Sequence, residues 1–267
     1  MSSVVVELPG DLLQLSFRWV HVLAAVLWIG FSFWLDWVWT SFARGLEPAS
    51  ARPVLLGLLA RTLFWLRWGA LVAWLTGVSL LMILYYAGPY LTQTGARPTL
   101  AEWGPIFLAL FVLFGGYDVV FRYLGRRGVM EWICGLLWAA VALGFGHWLE
   151  ARGVPNRAIF VHVGALFGTV MVANVWVRIW PCRRRMLEAA RLGTPADPRD
   201  QEMAQGRSRH NVLMSIPLLM LMLGADQPGL TGTGAGWPWI IGGLFAIGGC
   251  VGWMIYASLE SVRGWSD

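Results

Sequence analysis

The chain has 267 residues, of which 57% are hydrophobic and only 13% are charged. Its mean hydropathy is +0.60, a balance that excludes a soluble domain and indicates a helical membrane protein. The formal charge of +5 comes from arginines in the connections between apolar runs, which is typical of cytoplasmic loops and not of a nucleic-acid-binding surface. We therefore expect an all-α, polytopic bundle that forms one integral membrane domain over residues 1–267, in contact with lipid and without a nucleic-acid partner.

Seven apolar runs approach the length of about 20 residues that is needed to cross the hydrocarbon. They cover residues 14–39, 62–87, 103–124, 129–149, 158–181, 211–226 and 237–259. The sixth run is short and contains Pro217, so neighbouring helices must satisfy the carbonyl that the proline frees. The long polar connection, residues 182–209, contains RRR and TPADPRD, and we expect it to be a cytoplasmic loop with about one helical turn.

The arginines predict the orientation of the bundle. The first, third and fifth connections carry most of them, including eight from Arg178 to Arg209, whereas the second, fourth and sixth carry only Arg97, Arg152 and Arg157. Basic residues in short loops stay on the cytoplasmic side of a membrane. The predicted topology places the N-terminus on the outer side of the membrane and the C-terminus on the cytoplasmic side.

Polar residues within the predicted spans fall into two layers, because each helix direction is then fixed and each residue adds about 1.5 Å of rise. Ionisable groups near the centre of a span cost roughly 2.5 to 3.5 kcal/mol on insertion scales, so they usually face a partner or a cavity. The outer layer holds His21, His147 and His162, with Asp226 at the outer end of the sixth helix. The inner layer holds Asp36, Arg67, Asp118, Asn174, Arg178, His210 and Asn211.

The outer histidines have two interpretations. His21 and His162 can be the axial ligands of a b-type haem, which needs one neutral imidazole from each of two facing helices. Alternatively, each histidine is hydrogen-bonded to a neighbouring helix. His147, in FGHWLE at the interface, is more typical of a structural residue and remains a spare candidate ligand. No CxxCH motif occurs, so we expect no covalently attached c-type haem.

The inner layer and the glycines also allow a structural interpretation. Asp36, Arg67, Asp118 and Arg178 can neutralise one another, and the alternatives are a proton path or a binding site for an anion or a quinone headgroup. Two GxxxG pairs, Gly164 with Gly168 and Gly248 with Gly252, permit close approach of helices, and tight packing is their expected role.

Several strings, read in order, resemble the membrane domain of the PuuD-type urate hydroxylases. They cover most of residues 18–226, and the fifth-helix string, which starts at His162, is the most specific. The strings are RWVHVLAAVLWIGFSFWLD at 18–36, WLRWGALVAWLTGVSLLMILYY at 65–86, GGYD at 115–118, HVGALFGTVMVANVWVRIWP at 162–181 and RSRHNVLMSIPLLMLM at 207–222.

This resemblance implies a redox role in purine catabolism, in which electrons from an oxidised substrate pass to a cytochrome c. The family's chain continues into an eighth helix and a CxxCH domain, whereas this sequence stops at Asp267, so a separate periplasmic cytochrome c is the expected partner. The family pattern has a glutamate in the second helix and often a histidine at the end of the sixth, where this chain has Gly69 and Asp226.

The leading hypothesis is an integral membrane redox protein of this type that binds haem b through His21 and His162. The alternative is a non-catalytic scaffold subunit that packs with other subunits in a larger respiratory or photosynthetic complex. The residues that would carry the catalytic chemistry are not identified by the sequence.

Overall fold

The computed structural model of the protein describes residues 8–123 and 129–262, and within them every regular element is helical. This confirms the predicted all-α class. Arg126 and Arg127, which contributed to the predicted orientation, lie outside the described residues. The α-helices are α1 (Leu8–Phe33), α2 (Thr40–Arg44), α3 (Pro48–Val54), α4 (Ala60–Leu81), α5 (Leu100–Tyr123), α6 (Val129–Glu150), α7 (Asn156–Ala173), α8 (Trp180–Leu192), α9 (Pro198–Gly224), α10 (Pro228–Thr231) and α11 (Trp237–Val262).

Short π-helical segments join several α-helices into longer rods. Such segments are rare and occur frequently at functional sites. Three of the four carry polar residues that are buried in the bundle: Asp36 in the first, Tyr86 in the third, and Asn174 in the fourth. The four segments are Trp34–Trp39, Leu55–Leu59, Met82–Tyr86 and Asn174–Ile179.

Six helices in the described part of the chain are long and apolar enough to cross a membrane. The predicted sixth span, residues 211–226, falls mostly in the C-terminal half of α9; α9 is not among the six, and its N-terminal half is polar. The side of the membrane that each end faces stays a prediction. The six spans are Gly10–Ala43, Arg52–Tyr86, Leu100–Tyr123, Ile133–Glu150, Asn156–Leu192 and Gly234–Ser258.

Contacts between helices show their relative directions. On α1 and α4, a Cβ atom at Gly69 would lie 3.3 Å from the backbone nitrogen of Trp28, whereas His21 contacts the later residue Ala73, so the two helices are antiparallel. Helix α9 is antiparallel to α7 by the same reasoning, because Asn211 contacts Asn174 and Met222 contacts Gly164.

Helix α9 therefore completes the bundle, since it also packs on α11. A Cβ atom at Gly248 would lie 3.0 Å from Pro217 Cδ, and Gly252 faces Leu213. Both glycines of this GxxxG pair serve helix packing as predicted. In the other pair, Gly164 faces Met222, whereas at Gly168 no atom of the described residues lies within 4 Å of the position a Cβ would take.

Helix α7 is the centre of the bundle. In the most apolar stretch of its span, 78% of the residues are buried, against 22 to 39% in the other five spans. The outward faces of those spans carry many exposed large apolar side chains, as expected for helices in contact with lipid. We call the two ends of the bundle the Tyr86 end, where α4 stops and α7 begins, and the Arg178 end, where α7 passes into α8.

The polar connection 182–209 was predicted to be a loop with about one helical turn. In the structure nearly all of it is helical, so this prediction was wrong. Helix α8 ends at Gly193, which has the left-handed φ of +71° that glycine accepts readily. Asp197 then caps α9 by accepting a hydrogen bond from the Arg199 backbone nitrogen at 2.8 Å. The segment is polar and rich in arginine, and this composition hid a helical hairpin that is stabilised by these caps and by an ion pair between Arg185 and Asp200.

This ion pair predicts a small acid sensitivity. The Arg185 guanidinium lowers the pKa of the Asp200 carboxyl below its ordinary value of 3.8. The stabilisation is therefore complete above that value and is lost as the pH falls through the folded-state pKa. Because the Arg185 side chain is 53% exposed, we expect a contribution below about 1 kcal/mol. The difference in thermal unfolding between wild type and Asp200→Asn should be constant from about pH 7 to about pH 5 and should shrink as the pH falls below about 4; a difference that stays the same below about pH 4 would contradict this.

Candidate functional site: buried polar networks at both ends of the bundle

His162 is fully buried near the Tyr86 end and both of its ring nitrogens are engaged. Nδ1 lies 2.7 Å from the Ala158 carbonyl oxygen, which can only accept, so Nδ1 carries the proton. Nε2 is then an acceptor, and the Tyr86 hydroxyl donates to it at 3.1 Å. The ring of Tyr85 meets the imidazole edge to face at 5.4 Å. The site is a buried tyrosine–histidine pair.

His21 is held against α4 closer to the middle of the bundle. Its Nδ1 donates to the Ala73 carbonyl at 2.8 Å and lies 3.3 Å from Thr76 Oγ1. A Cβ atom at Gly77 would come within 2.9 Å of the imidazole Cε1, so this glycine makes room for the ring. The contacts agree with the second interpretation above, a histidine hydrogen-bonded to a neighbouring helix.

The two histidines do not fit one haem in this arrangement. In both, Nδ1 donates to a carbonyl, which is the orientation typical of a metal-binding imidazole. However, His21 contacts Ala73, Thr76 and Gly77 on α4, and these residues precede Tyr86 by a separation that corresponds to roughly 13 to 20 Å of rise. One iron cannot bind both Nε2 atoms across that separation.

The remaining polar residues of the predicted outer layer lie at the surface. The His147 side chain is 57% exposed, lies 3.2 Å from Glu150 and packs on Trp237, away from His162. Asp226 accepts from the guanidinium of Arg157, with 3.1 Å between Nε and Oδ1. These contacts are structural, and they do not bring His147 into a pocket with either of the other two histidines.

At the Arg178 end, four polar side chains form what we call the Asn174 network. Asn174 Nδ2 donates to the Tyr117 hydroxyl oxygen and to Asn211 Oδ1, both at 3.0 Å. Asn211 Nδ2 donates in turn to the Met171 carbonyl at 2.9 Å. The Tyr117 hydroxyl lies 2.9 Å from His210 Nδ1. In the tautomer that leaves Nδ1 unprotonated, the Tyr117 hydroxyl donates to it, which makes a second, partly buried tyrosine–histidine pair.

An ion triplet borders this network. Asp118 accepts from Arg178 Nε at 2.8 Å and from an Arg207 Nη atom at 2.9 Å. The Arg207 side chain is 3% exposed, and its guanidinium lies 4.9 Å from the Tyr117 ring centroid. Among the described residues, Asn174 Oδ1 and Arg207 Nη1, both beside Tyr117, are buried without a hydrogen-bond partner.

The predicted neutralisation within the inner layer holds for Asp118 with Arg178 and not for the other two residues. Asp36 accepts a hydrogen bond from Tyr256 on α11. Arg67 has aromatic neighbours instead of a carboxylate, the nearest being Trp180, whose ring centroid lies 3.9 Å from its guanidinium carbon. The predicted inner layer is therefore divided into three sites: Asp36 with Tyr256, Arg67 with its aromatic neighbours, and the Asn174 network with the ion triplet of Asp118.

Four residues of these sites were absent from the predicted set: Tyr86, Tyr117, Arg207 and Tyr256. Two of them were within reach of sequence reasoning. Tyr117 precedes Asp118 in GGYD, and Arg207 lies three residues before His210, on the same face of a helix. Tyr86 and Tyr256 sit at the ends of apolar runs, where tyrosine ordinarily marks the membrane interface.

The fold and these networks define a multi-pass helical membrane protein with buried polar groups at both ends of its central helix. In the described residues, no group of three or more His, Cys, Asp or Glu side chains could hold a metal ion. The family model described as urate oxidase N-terminal matches residues 51–263. The chain belongs to this family of urate oxidase N-terminal membrane domains. No curated protein and no solved structure matches it significantly.

Proposed function

We propose that the chain is the membrane part of a urate-oxidising system of the bacterial cytoplasmic membrane, which passes electrons from urate to a cytochrome c. The family match over residues 51–263 carries this proposal. In the balanced reaction, urate gains an oxygen atom from water and releases two electrons and two protons. Two molecules of ferric cytochrome c each take one electron, and the protons leave to solvent.

The tyrosine–histidine pairs support a redox role. When a phenol loses an electron, its hydroxyl proton becomes strongly acidic, and a charged ring is costly in a low-dielectric interior. An acceptor imidazole within hydrogen-bond distance takes the proton, so the tyrosine stays neutral. The Tyr117 hydroxyl is placed for such a transfer to His210 Nδ1, and the Tyr86 hydroxyl for a transfer to His162 Nε2.

The surroundings of Tyr117 favour this pair as the one close to the reaction. Asn174 Oδ1 offers an unmatched acceptor and Arg207 Nη1 an unmatched donor in a buried region. Unmatched buried groups of this kind bind a water molecule or a polar group of a ligand. The water that hydroxylation consumes, or the amide edge of a purine, would donate a hydrogen bond to Asn174 Oδ1 and accept one from Arg207 Nη1.

The assay is urate-dependent reduction of added cytochrome c by the purified protein. We expect Tyr117→Phe to lower kcat by about tenfold or more, because the phenol can no longer release a proton. Tyr123→Phe is the matched control, since Tyr123 lies on the same helix with 62% of its surface exposed, and it should keep the wild-type rate. Equal rates in all three proteins would remove Tyr117 from the mechanism.

A haem b between His21 and His162 is not part of this proposal, because the two imidazoles lie at different depths. The visible spectrum of the purified protein, before and after reduction with dithionite, tests this point. A haem signal that is lost in both His21→Ala and His162→Ala would contradict the described arrangement and restore the bis-histidine hypothesis.

A further inference from the structure

Arg67 on α4 differs from its neighbouring arginines because no acceptor in the described part of the chain binds its guanidinium. Arg178 donates to Asp118 at 2.8 Å, and Arg61 donates to the Gly57 carbonyl at 2.8 Å. Among the residues that the structure describes, none accepts a hydrogen bond from Arg67, and its Nε is buried without a partner. A half-buried charge in a membrane protein without an acceptor points to a ligand that supplies one.

Aromatic rings hold the guanidinium in place. The Arg67 guanidinium carbon lies 3.9 Å from the Trp180 ring centroid, 5.9 Å from that of Trp68 and 6.0 Å from that of Trp176. Cation–π contacts at these distances orient a cation without neutralising it. The Trp176 Nε1 is a further buried donor without an acceptor. Within residues 8–123 and 129–262, the surroundings of Arg67 therefore supply donors and ring faces but no negatively charged acceptor.

Arg67 also lies at the depth of a lipid headgroup. It precedes Tyr86 by 19 residues along one rod, which is about 28 Å of rise and close to the hydrocarbon thickness of about 30 Å. Trp180 lies about as far from Phe160, which is near the start of α7. Trp68 and Phe64 are 40% and 46% exposed on the outer surface of the bundle, and tryptophan is enriched at membrane interfaces.

We propose that Arg67, together with the rings of Trp180 and Trp68, binds the phosphate group of an anionic phospholipid in the leaflet at the Arg178 end. An arginine fork matches the oxygens of a phosphate in two parallel hydrogen bonds. The exposed rings of Phe64 and Trp68 would contact the acyl chains of the lipid, which a free phosphate ion does not have. This site is independent of urate oxidation and lies on the lipid-facing surface.

Native mass spectrometry of the purified full chain in detergent, titrated with phosphatidylglycerol, tests the proposal. We expect one tightly bound lipid in the wild type and an apparent affinity about tenfold weaker in Arg67→Gln. Arg61→Gln removes the same charge from the same helix, and it should stay within about twofold of the wild type. Equal affinity in Arg67→Gln and the wild type would overturn the site.

A second variant and a competition experiment also test the lipid site. If Arg67→Gln does not yield a monodisperse protein, Trp180→Leu keeps the charge and removes the nearest ring, and it should weaken lipid binding by about threefold or more. Unchanged binding in Trp180→Leu would contradict the proposal. Displacement of the lipid by millimolar inorganic phosphate would also contradict it, because the site would then recognise phosphate without the lipid.

Discussion

Asp118→Asn is expected to lower the free energy of unfolding by about 3 kcal/mol or more. Asp118 is the carboxylate to which both Arg178 and Arg207 donate. The Arg207 side chain is only 3% exposed, so the substitution leaves a buried guanidinium without a counter-charge. Removing one partner of a buried ion pair is far more costly than the net value of the pair, because the remaining charge stays desolvated.

Denaturant titration of the detergent-solubilised protein measures this effect. Asp200→Asn is the matched control, since its partner Arg185 is 53% exposed and the loss should stay below about 1 kcal/mol. The double variant Asp118→Asn with Arg207→Met should recover much of the lost stability, because the unpaired charge is then gone. A loss in Asp118→Asn no larger than in Asp200→Asn would show that Arg207 is not buried as described.

Gly69→Glu is expected to cost about 2 kcal/mol or more, and to separate α1 from α4. A Cβ atom at this position would lie 3.3 Å from the Trp28 backbone nitrogen and 3.4 Å from the Ala24 carbonyl oxygen. Backbone atoms cannot move aside as the end of a flexible side chain can. The remainder of a glutamate side chain would also bury a carboxyl group between two helices.

Gly168→Ala provides the comparison for this substitution, because no atom lies within 4 Å of the position its Cβ would take. We expect it to unfold at the wild-type denaturant concentration, with Gly69→Ala between the two. If Gly69→Glu were as stable as the wild type, close packing of α1 on α4 at this position would be wrong. The family resemblance placed a glutamate at this position, so the result also shows whether this chain can accept one.

The helices could be predicted from the sequence because lipid demands long apolar runs, and those runs are visible by eye. The predicted spans of α4, α5 and α11 agree with the structure to within a few residues at the ends that it describes. The prediction of a loop at 182–209 was wrong because this segment is polar, and its helices are stabilised by caps and by the Arg185–Asp200 pair, which do not require a long apolar run. The π-helical segments, where Asp36 and Asn174 lie, have no known sequence signal of comparable strength.

Many of the polar residues of the candidate site were predicted from the sequence. Which of them contact one another was not. Depth along a helix follows from residue counting, and it correctly placed Asn174 and Asn211 in one layer. Which side chains face each other depends on helix rotation and packing, and these are set by contacts such as Gly77 on His21. For this reason His21 and His162 were expected at one depth, whereas the structure places them against different parts of α4.

The proposed function of this membrane domain is to couple urate oxidation to the reduction of cytochrome c. The most direct test combines the purified protein with urate and ferric cytochrome c in the absence of oxygen, and counts urate consumed against cytochrome reduced. We expect two molecules of cytochrome c to be reduced for each urate hydroxylated, with the added oxygen atom coming from water. An absence of urate consumption under these conditions, with a correctly folded protein, would contradict the account and favour the non-catalytic scaffold.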